Sequence, residues 1–194
     1  RDGWEAQRMF EKWTAAGGKF SPQPHLTTAD SRISKEQYRE ALAALRCCIE
    51  ACSTEAERQE FQPGAWYKMA QCYQELRRPY EAAIAFEKIF QKFPTHKLAA
   101  KACFEAVSCY NQEYSKFGLK QDKDMKDKYL LDLANKWPKD PAARNIKYLL
   151  AVDKENAGEF KNAAELYLQV DEEAEAYEKA LISSAFCLRR GANQ

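Results

Sequence analysis

Histidine is almost missing from this chain of 194 residues: only His25 and His96 occur. That is too few for most catalytic constellations built on a general base, and neither has a Ser, Cys or Asp beside it in a recognised pattern. Both read as surface residues, His25 in a Pro-flanked loop and His96 at a helix start after Pro94. Glycine is also sparse, seven residues scattered at turns, so no glycine-rich loop is available to cradle phosphates. No apolar run approaches the roughly 18 residues needed to span a bilayer, so no membrane insertion is expected of this segment. Neither sign of charge dominates: 30 Lys and Arg stand against 29 Asp and Glu. A protein that lives on phosphate contacts needs a basic excess, so nucleic acid is not the expected partner.

Seven cysteines are present, at 47, 48, 52, 72, 103, 109 and 187. The number is odd, no pair is spaced C-x-x-C, and most fall at apolar-periodic positions. They read as buried, reduced thiols, which favours a reducing compartment such as the cytoplasm. Cys48 and Cys52 share a helical face but lack a second Cys or His pair nearby, so neither a metal nor another cofactor is expected. The acidic run 171–179 reads as a solvated helix start favoured by the helix dipole. The first residue is Arg rather than Met, which suggests a processed chain or an excised fragment.

What is present is a repeated spacing. In a frame starting at Pro63, Trp66, Met69, Ala70, Tyr73, Ala82, Phe86 and Pro94 take positions 4, 7, 8, 11, 20, 24 and 32. Small Ala70 and Ala82 suit a close helix crossing, with the larger side chains filling the space around it. Pro79 suits the first turn of the second helix, and Pro94 ends it. A gapless copy sets "AWYKMAQCYQE" at 65–75 against "ACFEAVSCYNQ" at 102–112, with a second helix expected over 124–137 and a polar loop "KFGLKQDKD" between. A third copy starts near Arg144, after an Asp140-Pro141 helix start. Leu150 and Ala151 take positions 7 and 8, Gly158 the turn, and Ala163, Tyr167 and Val170 positions 20, 24 and 27. A fourth starts near Glu178 with Leu181, Ser184, Ala185 and Leu188, and stops after one helix.

These residues resemble the tetratricopeptide repeat (TPR) family. The passage "KFPTHKLAAKACFEAVSCY" also looks like the longer units of bacterial envelope lipoproteins and Tol–Pal-associated proteins, whose periplasmic address the free cysteines oppose. The TPR resemblance implies an all-α fold, helix-turn-helix units stacked into a right-handed superhelical solenoid. The expected organisation is one array over 1–194. It comprises a degenerate first unit at 1–52 with a long loop at 17–33, a clear unit at 63–96, and an extended unit at 100–138 with a loop insertion. A unit at 144–173 and a terminal half-unit or capping helix at 176–190 complete it. In the first unit, "SKEQYREALAALRCCIEAC" reads as a second helix that buries Ala41, Leu45 and Cys48, with Ser34 and Gln37 as a capping box. Pro22, Pro24 and the polar run after them argue against a helix at 22–33, which leaves residues 2–16 as its partner.

In this family, positions 2, 5, 9, 12 and 13 of each first helix face the concave groove. Carried over, they give Tyr67, Gln71, Gln74 and Glu75; then Lys101, Phe104, Ser108, Asn111 and Gln112; then Asn145, Tyr148, Glu155 and Asn156. Lys179, Arg189 and Arg190 lie beyond. Tyr67, Phe104 and Tyr148 are either an aromatic ladder for a partner or padding between helices. The two-Lys, two-Asn and Arg clamp of the chaperone-binding members is absent. The resemblance implies a non-enzymatic scaffold holding a peptide or helix of another protein. A structural or homo-oligomerising segment of a larger protein is the alternative, and helical-repeat RNA binding ranks below both.

Overall fold

A computed structural model of the chain describes residues 21–192. The helix expected over residues 2–16, and the start of the loop placed at 17–33, lie outside them. The described residues are helical, with no strand among them, and within each compact unit consecutive helices pack on one another. The chain divides into two compact units at Leu76–Arg77. That division falls inside the stretch with the clearest repeat spacing.

The first unit contains α1 (Pro22–Ile33), α2 (Tyr38–Ala51) and α3 (Glu55–Glu75). The loop expected at 22–33 is therefore a helix. Pro22 and Pro24 sit in its first turn, where a missing N–H leaves no intrahelical bond unmade. The hydroxyls of Thr27 and Thr28 bond back to the carbonyls of Gln23 and Pro24, absorbing the polar run. The capping box expected at Ser34 and Gln37 is also corrected. Ser34 ends α1, its hydroxyl donating to the Ser31 carbonyl, and Gln37 accepts from Arg32 at 2.7 Å. Glu36 turns the chain at φ 58°. Ala41, Leu45 and Cys48 are buried on α2, as the spacing requires.

A true capping box opens α3 instead. Thr54 Oγ1 accepts from the Glu57 N–H, while the Glu57 carboxylate accepts from the N–H groups of Thr54 and Ser53. Those backbone donors, Thr54's first, with the Ser53 hydroxyl hold the Glu57 carboxyl down at about 2. The helix thus begins eight residues before Pro63, which is buried inside it. Proline there denies the Gln59 carbonyl its usual donor. Gln62, also buried, spends its amide on the Ile49 carbonyl of α2 at 3.2 Å, and Arg46 of α2 donates to the Tyr73 hydroxyl at 3.2 Å.

The second unit runs α4 (Pro79–Lys92), α5 (Ala99–Phe117), α6 (Lys120–Lys136), the single turn α7 (Pro141–Arg144), α8 (Ile146–Asn156), α9 (Phe160–Tyr167) and α10 (Tyr177–Gly191). Pro79 stands in the first turn of α4, and Pro94 follows its end. The polar loop expected between 116 and 124 shrinks to Gly118 and Leu119. Gly118 adopts φ 66° and caps α5, its N–H donating to the Tyr114 carbonyl. The charged residues that follow form the first turns of α6, exposed at Lys120, Gln121, Lys123 and Asp124 but buried at Asp122. The acidic run at 171–179 is corrected too: α10 starts at Tyr177, and Asp171 accepts the Glu173 N–H at 2.8 Å in a turn ahead of it.

Two clusters fill this unit. One joins α4, α5 and α6: Phe90 meets Tyr129 edge-on at 5.1 Å between centroids and Trp137 at 6.5 Å. The Trp137 indole donates to the Pro94 carbonyl at 3.0 Å, joining the two helix ends. The other joins α8, α9 and α10 through Ala151, Ala163, Ala164, Tyr167, Val170, Ala180 and Cys187. Gly158 turns the chain between α8 and α9 at φ 78°.

Candidate functional site

Helix α5 divides sharply into two faces. Ala102, Cys103, Ala106, Val107, Cys109, Tyr110 and Glu113 are buried. Lys101, Phe104, Ser108, Asn111 and Gln112 are exposed, and their spacing of three and four places them on one stripe. The Phe104 ring is 41% exposed, and the Ser108 hydroxyl donates to the Phe104 carbonyl at 3.2 Å. The resemblance-based groove residues of this helix are therefore together and open to a partner.

On α3, in the first unit, Tyr67 is half-buried while Gln71, Gln74 and Glu75 are exposed along the same face. On α8 the picture differs. Tyr148 packs on the α8–α10 cluster, its ring 5.6 Å from that of Tyr167. Asn145 accepts from the Ala176 N–H at 3.4 Å, and Glu155 accepts from the Tyr167 hydroxyl at 2.8 Å. That bond comes second to burial in raising the Tyr167 phenol. These α8 side chains are spent on internal packing, and Asn156 is the exposed member. Lys179 and Arg189 are exposed on α10, and the Arg190 guanidinium lies over Phe186 at 4.8 Å and Phe160 at 5.3 Å.

A cleft of about 570 Å³ opens between α6, α8 and α9, over Leu131, Leu150 and Leu166. None of the groove residues above lines it. Two of its three lysines are matched by acids: Lys154 pairs with Glu159 at 2.9 Å and Lys126 with Asp127 at 3.3 Å. A smaller hollow of about 210 Å³ brings His25 of α1 to Cys47 of α2, a juxtaposition hidden as long as 22–33 is taken for a loop. His96 is half-buried, and its Nδ1 accepts from the Leu98 N–H at 3.1 Å, with burial, then Lys97, lowering its pKa.

None of the seven cysteines is joined in a disulfide, and Cys47 alone is exposed. Burial pushes Cys48 and Cys72 up to about 11 and Cys103 to about 12, which suppresses the thiolate. Among the described residues no group of three or more His, Cys, Asp or Glu could hold a metal ion. No described helix is long and apolar enough to cross a membrane. No family model matches the chain, and no curated protein matches it.

Proposed function

We propose that the chain is a non-catalytic scaffold of TPR-like helix pairs, stacked as a right-handed solenoid, that holds a peptide or helix of another protein. The observation that carries this reading is the open stripe of α5. One side of that helix is sealed by its neighbours, while the other presents an aromatic ring flanked by serine and amides. A ring gives contact area at low entropy cost, and the amides supply both donors and acceptors to a peptide backbone. Tyr67, Gln71 and Gln74 offer the same chemistry on α3.

The test is capture of a partner from a native lysate on the immobilised chain, with Phe104→Ala/Asn111→Ala as the variant. Binding is lost while the far-ultraviolet circular dichroism stays unchanged. Retention of the same partner by the double variant would remove α5 from the binding surface and defeat this reading.

A further inference from the structure

Helix α10 has two faces of opposite fate. Ala180, Ser184, Cys187 and Gly191 are buried, with Gly191 against Lys161 and Phe160 of α9. On another side, Leu181, Ile182 and Leu188 are 43%, 73% and 53% exposed, with exposed Ala185 between them. In α5, the residues at the same repeat positions as Leu181, Ala185 and Leu188 are Cys103, Val107 and Tyr110, and all three are buried. Leu181, Ala185 and Leu188 thus lie on the side that an adjoining helix covers elsewhere in the unit, while Ile182, the counterpart of exposed Phe104, widens the apolar stripe beside them.

The ends of this stripe carry opposite charges. Helical spacing places Glu178 at its N-terminal end and Arg189 at its C-terminal end, both exposed, with small Ala185 near its centre. Such an order matches itself when reversed. Laid antiparallel on another α10, the alanine permits close approach and the leucines and isoleucine interleave. Each Glu178 then meets the Arg189 of the other helix, twice by symmetry. We infer that two copies of this chain pair antiparallel through α10, sealing the Leu181–Ile182–Leu188 stripe between them. The stripe is short for a permanent interface, so the pairing is dilution-sensitive.

Sedimentation velocity on the whole chain, from roughly 1 to 500 µM, tests this. The expected result is a shift from monomer to dimer across that range, abolished by Leu181→Asp. Glu178→Arg and Arg189→Glu, each alone, put like charges together and weaken association about tenfold or more. The double exchange E178R/R189E restores it. All four variants alter exposed side chains, and unchanged circular dichroism checks that each is folded. A chain that stays monomeric throughout, a dimer indifferent to Leu181→Asp, or a double exchange that fails to rescue would each overturn the inference.

Discussion

The hydroxyl of Tyr80 donates to Oδ2 of Asp122 at 2.8 Å, tying the first turn of α4 to the first turn of α6 across 42 residues. Asp122 is only 3% exposed, so this donor is part of how a buried carboxylate is tolerated. Tyr80→Phe is expected to destabilise the second unit by about 1–3 kcal/mol, the cost of a buried acceptor losing its donor. Urea denaturation measures it, and an unchanged midpoint would show that the bond contributes nothing.

The same contact gives an alkaline limit. The hydrogen bond to Asp122, with burial second, raises the Tyr80 phenol from 10.0 to about 12. A folded pKa above the unfolded one contributes stability that is complete below pH 10 and lost as pH climbs towards 12. Denaturation midpoints should therefore fall across that window, and fall less in Tyr80→Phe.

Two glycines should respond to alanine with opposite signs. Gly118 sits at φ 66° with open space around its Cβ position, so Gly118→Ala adds only backbone strain, about 1 kcal/mol. Gly64 lies within α3 and also has nothing within 4 Å. Gly64→Ala should stabilise by about 0.5–1 kcal/mol. Thermal melts of the two variants decide it.

Phe104 and Tyr148 occupy the same repeat position and should separate cleanly on mutation. Phe104→Ala removes a ring that is 41% exposed and should cost no more than about 1 kcal/mol. Tyr148→Ala takes a ring off the α8–α10 cluster and should cost about 1–3 kcal/mol. Equal losses in a denaturant titration would mean that both rings serve packing.

A thiol reagent added to the native chain should label Cys47 alone, since the other six cysteines are buried. Mass spectrometry before and after denaturation counts the sites, and rapid labelling of Cys103 in the native state would contradict the packing.

Helix-forming segments were legible wherever burial imposed a period. Ala41, Leu45 and Cys48 on α2, and Ala163, Tyr167 and Val170 in the α9 region, are buried where spacing put them. Element edges were harder, because local chemistry there admits two readings. Proline at 22 and 24 can break a helix or begin one, and only the chain before it decides. Residues 120–128 carry the composition of a loop, yet one buried aspartate among lysines is held by a tyrosine brought from another helix. On α10, of the four residues at signature positions Ser184 is buried while Leu181, Ala185 and Leu188 are exposed, since no described helix packs on their side. Among the candidate site residues, those of α5 emerged together on an open face. Those of α8 did not, since hydrogen bonds to Ala176 and Tyr167 arise only after folding.

The phenols of Tyr80 and Tyr110 carry a wider implication. They reach Asp122 and Glu87 as uncharged donors, the second also at 2.8 Å. Mobile ions screen a lysine–carboxylate pair at the surface but have little purchase on a neutral hydroxyl facing a carboxylate that is buried, as Asp122 is, or half-buried, as Glu87 is. Adding sodium chloride should therefore leave the cohesion of α4, α5 and α6 nearly untouched, and these helices would hold equally well in dilute and in briny surroundings.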